Sequence, residues 1–272
     1  MHRPETDKAF VGSIPQVYEE HLVPMIFEPY ALDLGRRLAV SPPGRILEIA
    51  AGTGAVTRVL ASTLPASTTI VATDLNQPML DLAEARGTAR SVHWQVADAM
   101  ALPFESESFD AVVCQFGVMF LPDKPAAYAE ARRVLVPGGR LLFNVWGAIE
   151  QNDFAVVVRD TMDSLFPDDP PRFLARTPYG YFDHEVIAEH LREAGFDSPA
   201  SIETVTLTSV AGSAEVVAVG YCQGTPLRAE IESRDPGRLA SVTTAVAEAL
   251  EQRFGSGAVE GLIQAVVVDV RR

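Results

Sequence analysis

Apolar and polar positions alternate at regular intervals through the centre of the chain. Short runs rich in β-branched residues are each followed by a stretch of helical periodicity, which predicts parallel strands joined by helices. The five predicted strands cover residues 45–49, 69–74, 92–96, 109–115 and 140–146. Helices are predicted between them from Gly54 to Leu64, from Asn76 (as N-cap) to Gly87, and from Pro125 to Leu135. An α/β sheet is therefore expected.

The flanking segments are predicted to add helices and two further strands. Residues 13–16 have the sequence of a capping box, which predicts a short helix ending at Pro24. A second helix is predicted from Pro29 to Leu38, and Pro137-Gly138-Gly139 predicts a turn before the fifth strand. The rest of the chain predicts a loop at 166–171, a helix over 183–195, a strand over 201–209, two helical stretches and a last strand near 264–270.

Acidic residues outnumber basic residues by 36 to 22, and the formal net charge is −14. Such a chain lacks the basic surface that neutralises phosphates, so nucleic acid and anionic membranes are disfavoured as partners. The hydrophobic fraction of 47% supports a sizeable core. The sequence contains no run of about 18 apolar residues, so membrane insertion is not predicted. Two isolated cysteines and a start without an apolar signal segment predict a cytoplasmic protein.

Acidic side chains and a glycine turn stand at the ends of successive predicted strands. Glu48 ends the first strand and precedes a turn that contains Gly52 and Gly54, Asp74 ends the second strand, and Asp98 follows the third. In open α/β sheets, ligands bind at the carboxyl ends of the strands. The two glycines permit a tight turn without a Cβ in the way, and they open a helix whose N-terminus favours an anionic group such as a carboxylate.

These residues can be assigned to the parts of a nucleoside. Asp74 lies about twenty residues after the turn, where a carboxylate can accept hydrogen bonds from a ribose, and Leu75 can cover one face of a flat base. Asp98 can accept from an exocyclic amine, the Ala99 amide can donate to a ring nitrogen, and Met100 can pack against the ring. Alone, Asp74 could be a capping acid and Asp98 a turn residue. Their order after neighbouring strands favours nucleoside binding.

Two features argue against a nicotinamide dinucleotide. Thr57 occupies the place of the third glycine in the dinucleotide fingerprint, so the turn suits a pyrophosphate poorly. The lysines are Lys8 and Lys124, and neither completes the Tyr-x-x-x-Lys pair of a short-chain reductase. Hydride transfer is therefore disfavoured.

The ordered set resembles the motifs of class I S-adenosylmethionine-dependent methyltransferases. Residues 46–54 (ILEIAAGTG) resemble motif I, and the later motifs follow in order as Asp74, Asp98-Ala99, residues 109–112 (FDAV) and residues 133–140 (RVLVPGGR). The resemblance spans roughly residues 40–147. It is nearest to the branch that includes the ubiquinone and menaquinone biosynthesis methyltransferases.

The resemblance implies a fold and a domain layout. The fold is an α/β, Rossmann-like sheet of seven strands, mostly parallel with the last strand antiparallel, with a helical N-terminal lid and insertions. The implied layout is a lid over residues 1–40, an S-adenosylmethionine-binding core over 41–149, an insertion or lid over 150–182, and the remainder of the sheet with a helical insertion over 183–272.

The resemblance also implies roles for single residues. Glu48 and the glycine turn would hold the methionine end of S-adenosylmethionine, Asp74 the ribose hydroxyls, and Asp98 with Ala99 the adenine, while Gln115 would lie near the sulfonium. Ala50 stands where many relatives have the first glycine, and its small side chain is compatible with binding. The full cofactor set is thus Glu48, Ala50, Gly52, Gly54, Asp74, Leu75, Asp98, Ala99, Met100 and Gln115.

For the residues that would contact the methyl acceptor, the sequence offers candidates without a motif. The aromatic and histidine side chains considered are Tyr18, His21, Phe27, Tyr30, Trp146, Tyr179 and Tyr181. Aromatic residues at helical spacing are more often core than pocket. The candidate catalytic residues are His21, Tyr18, Tyr30 and His184. No metal site is predicted, since His184 and His190 lack the i, i+4 spacing of a helical zinc pair.

The sequence therefore predicts an S-adenosylmethionine-dependent methyltransferase that acts on a small, partly apolar molecule. The chain reads Cys114-Gln115-Phe116-Gly117 after the fourth strand, which argues against the adenine and glutamine N-methylating branches. O-, C- and N-methylation stay open, as does the oligomeric state. The alternative is a protein that binds S-adenosylmethionine or a nucleotide and has lost catalysis, because no general base is evident.

Overall fold

The computed structural model describes Asp7, Phe10 and residues 12–272. The chain divides into two compact units. The first unit comprises residues 1–29, 146–180 and 206–264, and the second comprises residues 30–145, 181–205 and 265–272. The four-segment layout implied by the family resemblance stays a prediction.

The described residues contain seven strands. They are β1 (Arg45–Glu48), β2 (Thr69–Asp74), β3 (His93–Val96), β4 (Phe109–Gln115), β5 (Leu135–Trp146), β6 (Ser201–Ala211) and β7 (Val259–Arg271). They form one sheet in the order β3-β2-β1-β4-β5-β7-β6.

The sheet is mostly parallel, and β7 is antiparallel to β5. The ladders β3–β2, β2–β1, β1–β4 and β4–β5 are all parallel. Gly138 N–H donates to the Arg272 carbonyl at the start of β5, and Gly147 N–H donates to the Gln264 carbonyl just past its end. The partner numbers fall as the β5 numbers rise, so the two strands run in opposite directions. The predicted fold class is confirmed.

Helices occupy most of the connections. Those of the N-terminal half are α1 (Ile14–Val17), a π-helix (Tyr18–Phe27), α2 (Glu28–Ala39), α3 (Ala55–Thr63), α4 (Gln77–Arg86), the 3₁₀ turn Val118–Phe120 and α5 (Lys124–Val134). Those that follow are the 3₁₀ turn Ile149–Gln151, α6 (Asp153–Leu165), α7 (Phe173–Arg176), α8 (His184–Glu193), α9 (Ala214–Gln223), α10 (Leu227–Arg234) and α11 (Leu239–Phe254).

One apolar cluster of the second unit lies between the sheet and helices α2 and α3. The i, i+3 and i+7 spacing of Ala31, Leu34 and Leu38 presents an apolar stripe on α2, and all three are buried in this cluster. Residues from β1, β2, β4, β5 and β7 complete it. This packing fixes the position of the turn that joins β1 to α3.

The N-terminal helices differ from the prediction. The expected break at Pro24 does not occur, because α1, the π-helix and α2 follow one another without a gap. The helix continues through Pro24 with the i→i−5 hydrogen-bond pattern of a π-helix, as the bond from Glu28 N–H to the Val23 carbonyl shows. The predicted capping box at 13–16 is also wrong: Ser13 Oγ accepts from Arg228, and Gln16 donates to Glu20.

Two other local predictions need correction. Pro137-Gly138-Gly139 was predicted to be a turn, yet β5 already begins at Leu135, because pairing with Arg272, just past the end of β7, extends the strand through the glycines. One long connection predicted as two helical stretches contains three helices, α9, α10 and α11, with Thr225-Pro226 at the first break. The helix predicted over 183–195 is observed as α8, and the Asp183 carboxylate caps it by accepting from the Glu185 and Val186 amides.

Within the part of the chain that the structure describes, no helix combines the length and apolarity that a membrane crossing requires.

Candidate functional site

The register of the sheet places the predicted acidic residues at one edge. In the β1–β2 ladder, Glu48 pairs with Ala72, two residues before Asp74. In the β2–β3 ladder, Asp74 pairs with Val96, two residues before Asp98. All of these residues belong to the second unit. The carboxyl ends of three neighbouring strands therefore carry the three acids, as predicted.

The turn after β1 depends on left-handed backbone. Ala50, Gly52 and Gly54 have φ values of 54°, 57° and 83°. A Cβ on Gly54 would lie 3.0 Å from the Trp94 ring and 3.2 Å from Ala83 Cβ, so a side chain there would force these neighbours to shift. Gly54 is also the residue that opens α3. The sequence prediction of a tight turn before a helix is confirmed. Of the three residues, Ala50 is the one that adopts this left-handed conformation without being a glycine, and it is therefore strained.

Asp74 ties the glycine turn to the end of β2. Its Oδ2 accepts from Gly52 N–H at 2.8 Å, and its Oδ1 accepts from Asn76 N–H at 2.8 Å and from the Asn76 amide Nδ2 at 3.3 Å. The residue is 7% exposed, and burial raises the pKa of its carboxyl, against the opposing effect of these bonds. Each carboxylate oxygen has two lone pairs, so Asp74 retains capacity to accept from a ligand.

Glu48 is a buried carboxyl at the end of β1. It is 2% exposed, and the Thr57 hydroxyl donates to its Oε2 at 2.6 Å. Burial, with a smaller contribution from the nearby Asp74 charge, raises the pKa of Glu48 to about 8. The Thr57 bond and the Arg58 charge oppose that rise. A group that brings positive charge to this carboxyl would favour its ionised form.

The predicted base-binding residues lie after β2 and β3. Leu75 is half exposed, as expected of a side chain that covers a flat ligand, and Ala99 is buried. Asp98 is exposed, and its Oδ1 accepts from Met100 N–H at 2.9 Å. This bond shows that Asp98 also acts as the turn residue considered in the alternative interpretation. Its second carboxylate oxygen can still accept from an amine.

Gln115 is the last residue of β4 and pairs with Asn144 of β5. It is half-buried at the same edge of the sheet as Glu48. The structure thus brings together the whole predicted cofactor set, from Glu48 to Gln115, around the ends of β1 to β4.

The residues present fit S-adenosylmethionine. Thr53, inside the glycine turn, is buried, and its Oγ1 has no hydrogen-bond partner among the described residues. Buried hydroxyls are normally paired, so this one is available to a ligand. Glu48 and Asp74 supply acceptors for an ammonium group and for ribose hydroxyls respectively. These side chains therefore match an amino-acid end and a nucleoside end in the expected order.

Two of the candidate catalytic residues lie in the second unit. Tyr30 is fully buried, its hydroxyl donates to the Val205 carbonyl at 2.9 Å, and burial raises its pKa. This environment keeps the phenol protonated, as a structural tyrosine would be. His184 is exposed at the start of α8, where its Nε2 lies 3.4 Å from Thr204 Oγ1.

The other candidates lie in the first unit. The Tyr18 ring packs on Phe27 with centroids 4.8 Å apart, and Phe27 is 5.9 Å from the Trp146 ring. Trp146 in turn is 5.8 Å from Tyr179. The π-helix also packs on α9, where a Cβ on Gly220 would lie 3.3 Å from His21 Cβ. An aromatic cluster of the first unit therefore contains Tyr18, and catalytic roles for Tyr18 and His21 stay predictions.

Tyr181 belongs to a separate group in the second unit. Its hydroxyl is 2.9 Å from His190 Nδ1 and 3.3 Å from the Tyr128 hydroxyl. The Lys124 ammonium lies 4.7 Å from the centre of its ring. These contacts hold α5 and α8 together, as buried polar groups with partners commonly do.

Sequence reasoning missed the partners of the acids. Thr57 was noted only as a missing glycine, whereas its hydroxyl holds Glu48. Asn76 was expected to cap α4 with its side chain, but it donates to Asp74 instead. Asn144 is fully buried in β5, and no motif in the sequence points to it. The only available signal was a polar residue in an otherwise apolar strand.

The glycine turn and the turn after β4 are in close contact, and this contact gives a stability prediction. A Cβ on Gly117 would lie 2.4 Å from Ala50 Cβ and 2.8 Å from Cys114 Sγ. We expect Gly117→Ala to destabilise the protein by about 1–3 kcal/mol, as overpacking does, measured by urea unfolding. The double variant Gly117→Ala with Ala50→Gly should recover part of the loss. Equal stability of Gly117→Ala and the parent would contradict the contact.

Comparisons with known proteins find methyltransferase relatives. A model of the methyltransferase domain family matches residues 47–143. The ubiquinone/menaquinone biosynthesis C-methyltransferase UbiE of Bordetella parapertussis is 34% identical over 171 residues, which are 59% of this chain and 66% of that protein. UbiE of Ectopseudomonas mendocina is 34% identical over 172 residues, 58% of this chain and 67% of that protein. The chain thus spans about two thirds of the length of these relatives.

Solved structures share the fold. Phosphoethanolamine N-methyltransferase 2 of Haemonchus contortus, in complex with S-adenosyl-L-methionine, has a TM-score of 0.61 at 19% identity, covering 97% of this chain and 58% of that one. The YcgJ protein of Bacillus subtilis has a TM-score of 0.57 at 17% identity, covering 90% of this chain and 98% of that one. Together with the motif order and the UbiE relatives, these results show that the chain belongs to the class I S-adenosylmethionine-dependent methyltransferases, of the UbiE type.

Proposed function

We propose that the chain transfers the methyl group of S-adenosylmethionine to a small, partly apolar acceptor, and that this acceptor is a quinone-related aromatic ring methylated at carbon. The observation that carries the methyl-transfer part is the pair of buried carboxyls, Glu48 and Asp74, at adjacent strand ends beside a glycine turn. The acceptor part is supported by the names of the relatives, which are ubiquinone/menaquinone biosynthesis C-methyltransferases.

The roles of this chain's residues follow from their contacts. Glu48, in its ionised form, would accept from the amino group of the methionine end, while Thr57 holds the carboxylate in place at 2.6 Å. Asp74 would accept from the ribose hydroxyls while it holds Gly52 N–H, so that one side chain positions both ligand and turn. Leu75 and Met100 would cover the adenine, and Asp98 would accept from its amine.

S-Adenosylmethionine supplies, when bound, a methyl group on a positively charged sulfur, and S-adenosylhomocysteine is the leaving group when a nucleophile takes that methyl. The protein's main task is then to hold the donor rigidly and to align the acceptor with it, and such positioning accounts for much of the catalytic effect. A general base is needed only where the acceptor must lose a proton before it reacts. Methylation of a ring carbon breaks the methyl–sulfur bond, forms a carbon–carbon bond and releases the proton that the carbon carried. No base is assigned to this proton, so solvent water is its acceptor in the proposed reaction.

The test supplies the purified chain with tritium-labelled S-adenosylmethionine and a panel of acceptors. The panel contains a short-chain hydroquinone with one free ring position, the same ring with that position blocked, a simple phenol and a primary amine. We expect label in the free-position hydroquinone only, with the new methyl on carbon by NMR. Label in the blocked ring would indicate O-methylation, and label in the amine would contradict the proposed acceptor.

The inactive alternative predicts a different result. A protein that binds the cofactor without catalysis would bind S-adenosylmethionine and S-adenosylhomocysteine by calorimetry, yet transfer label to no member of the panel. Binding of neither compound would contradict both hypotheses.

A further inference from the structure

Asn144 is a polar residue in the buried part of β5. Its neighbours Leu142, Phe143 and Val145 are apolar and fully buried, and Asn144 is itself 0% exposed. Its Oδ1 accepts from Phe116 N–H at 2.9 Å, and its backbone carbonyl accepts from the same N–H at 3.1 Å. Its Nδ2 has no hydrogen-bond partner among the residues that the structure describes.

This arrangement costs stability. A buried donor without a partner is unfavourable by about 1–3 kcal/mol, and a leucine, whose side chain has the same branched skeleton without polar atoms, would avoid that cost. The Phe116 N–H already has the Asn144 backbone carbonyl as an acceptor, so the side chain is not required to satisfy it. Residues that break a local rule at a cost to stability are typical of functional sites.

The side-chain bond of Asn144 holds a strained residue. Phe116 has φ of 49°, a left-handed conformation that is uncommon for any residue other than glycine. Such strain costs of order 1–3 kcal/mol and persists only where the surroundings enforce it. Here the enforcing contacts are the Asn144 amide on the backbone and the buried Tyr30 ring, whose centroid is 5.3 Å from that of Phe116 in an edge-to-face arrangement.

The strained turn abuts the glycine turn of the cofactor site. Gly117 follows Phe116, and the place of its missing Cβ lies 2.4 Å from Ala50 Cβ. Ala50 is left-handed too, with φ of 54°. Two strained turns, one after β1 and one after β4, are thus pressed together without space between them. A shift of the β4 turn must move the turn that would hold the methionine end of the cofactor.

We propose that Asn144 is a positioning residue for methyl transfer, which locks the turn from Gln115 to Gly117 against Ala50 and so fixes the geometry beside the sulfonium. The proposal rests on the proposed function and adds to it a residue that acts through Phe116 rather than by contact with a ligand. It predicts that stability and turnover respond to substitution in opposite directions.

Two variants separate this role from ordinary core packing. Asn144→Leu removes the bond to Phe116 together with the unpaired Nδ2, so the midpoint of urea unfolding should stay the same or rise. Its kcat should fall on the order of tenfold or more, since small misplacements of reacting groups have large effects, while the KM for S-adenosylmethionine changes less. Asn144→Asp keeps an oxygen acceptor for Phe116 N–H but buries a carboxyl. It should be less stable than Asn144→Leu and yet faster.

Leu142→Met is the matched control, because Leu142 lies two residues earlier on the same face of β5 and makes a volume-conserving change possible. Its kcat should follow its small change in stability. A kcat of Asn144→Leu equal to that of the parent would overturn the proposal. The proposal would also be overturned if both Asn144 variants lost stability to the same extent and their kcat fell together with it, since that is the result of a purely structural role.

Amide hydrogen exchange gives a readout that does not depend on turnover. Exchange at Phe116 and Gly117 should be faster in Asn144→Leu than in the parent, and unchanged in Leu142→Met. Equal exchange in Asn144→Leu and the parent would overturn the proposal even if activity fell. A parent chain that transfers label to no acceptor contradicts the proposed function, and the positioning role then falls with it whatever the exchange rates are.

Discussion

Asp74→Ala is expected to weaken the binding of S-adenosylmethionine and S-adenosylhomocysteine by about 3 kcal/mol, on the order of 100-fold in Kd. The substitution removes a charged acceptor for the ribose hydroxyls. It also releases Gly52 N–H, which Asp74 Oδ2 holds at 2.8 Å, and frees the turn that Asp74 fixes to β2. Both losses act on the same ligand. Isothermal titration calorimetry with S-adenosylhomocysteine, the by-product of methyl transfer, measures the change in Kd directly.

Two control variants show whether the effect is local. Asp74→Asn keeps one oxygen acceptor for Gly52 N–H and should lose less affinity than Asp74→Ala. Asp110→Ala removes a carboxylate from the first half of β4, where Asp110 accepts from Arg45 N–H, and should leave the Kd unchanged. An Asp74→Ala variant that binds as tightly as the parent would show that the ribose site is misplaced.

Cofactor affinity is expected to rise with pH up to about 8. The pKa of Glu48 is raised to about 8 by burial, so the carboxyl is largely protonated at pH 6 in the free protein. The ionised form is the one that accepts from an ammonium group, and each pH unit below the pKa lowers its fraction about tenfold. The Kd measured between pH 6 and pH 8 should therefore fall by up to about tenfold per unit, with a proton released on binding.

Substitutions at and beside Glu48 test the cause of this dependence. Glu48→Gln should bind weakly and lose the pH dependence over this range. Thr57→Val removes the hydrogen bond that lowers the pKa of Glu48, so its affinity profile should move to higher pH. A Glu48→Gln variant with the same pH profile as the parent would assign the titration to another group.

The same shift predicts the stability of the protein without cofactor. Glu48 has a folded-state pKa of about 8 against an ordinary value of 4.5, so the folded state binds the proton more tightly. Its contribution is fully present below about pH 4.5 and is lost as the pH rises through about 8. Urea unfolding of the parent, compared with Glu48→Gln, should show this loss in the parent only.

Much of the arrangement of the candidate cofactor site was predictable because its signals are local. Strand composition and the glycine turn are set by neighbouring residues, and the parallel order of the strands brings their carboxyl ends to one edge. Sequence order alone therefore predicted that Glu48, Asp74 and Asp98 lie at neighbouring strand ends. The register of the ladders confirms their adjacency.

The remainder depended on contacts that are distant in sequence. β5 begins before Gly138 because Arg272, more than a hundred residues later, pairs with it. The helix passes Pro24 because a π-type hydrogen-bond pattern replaces the α-helical one, and no proline rule anticipates that. Asn76 is the N-cap residue of α4 but makes no side-chain cap bond, and it donates to Asp74 through its backbone N–H and its Nδ2.

The acceptor side was the least predictable part. Tyr18, His21, Tyr30 and His184 are each a common residue in an ordinary local setting, and no spacing distinguishes a base from a core residue. Asn144 and Gly117 have significance only through contacts with Phe116 and Ala50. Such roles become visible when turns that are far apart in sequence are seen side by side.

The most direct test of the central claim is a crystal structure of the chain with S-adenosylhomocysteine. We predict that the ribose hydroxyls lie within hydrogen-bond distance of the Asp74 carboxylate, the amino group near Glu48, and the adenine between Leu75 and Met100, beside Asp98. By-product bound elsewhere, or these side chains directed away from it, would contradict the account.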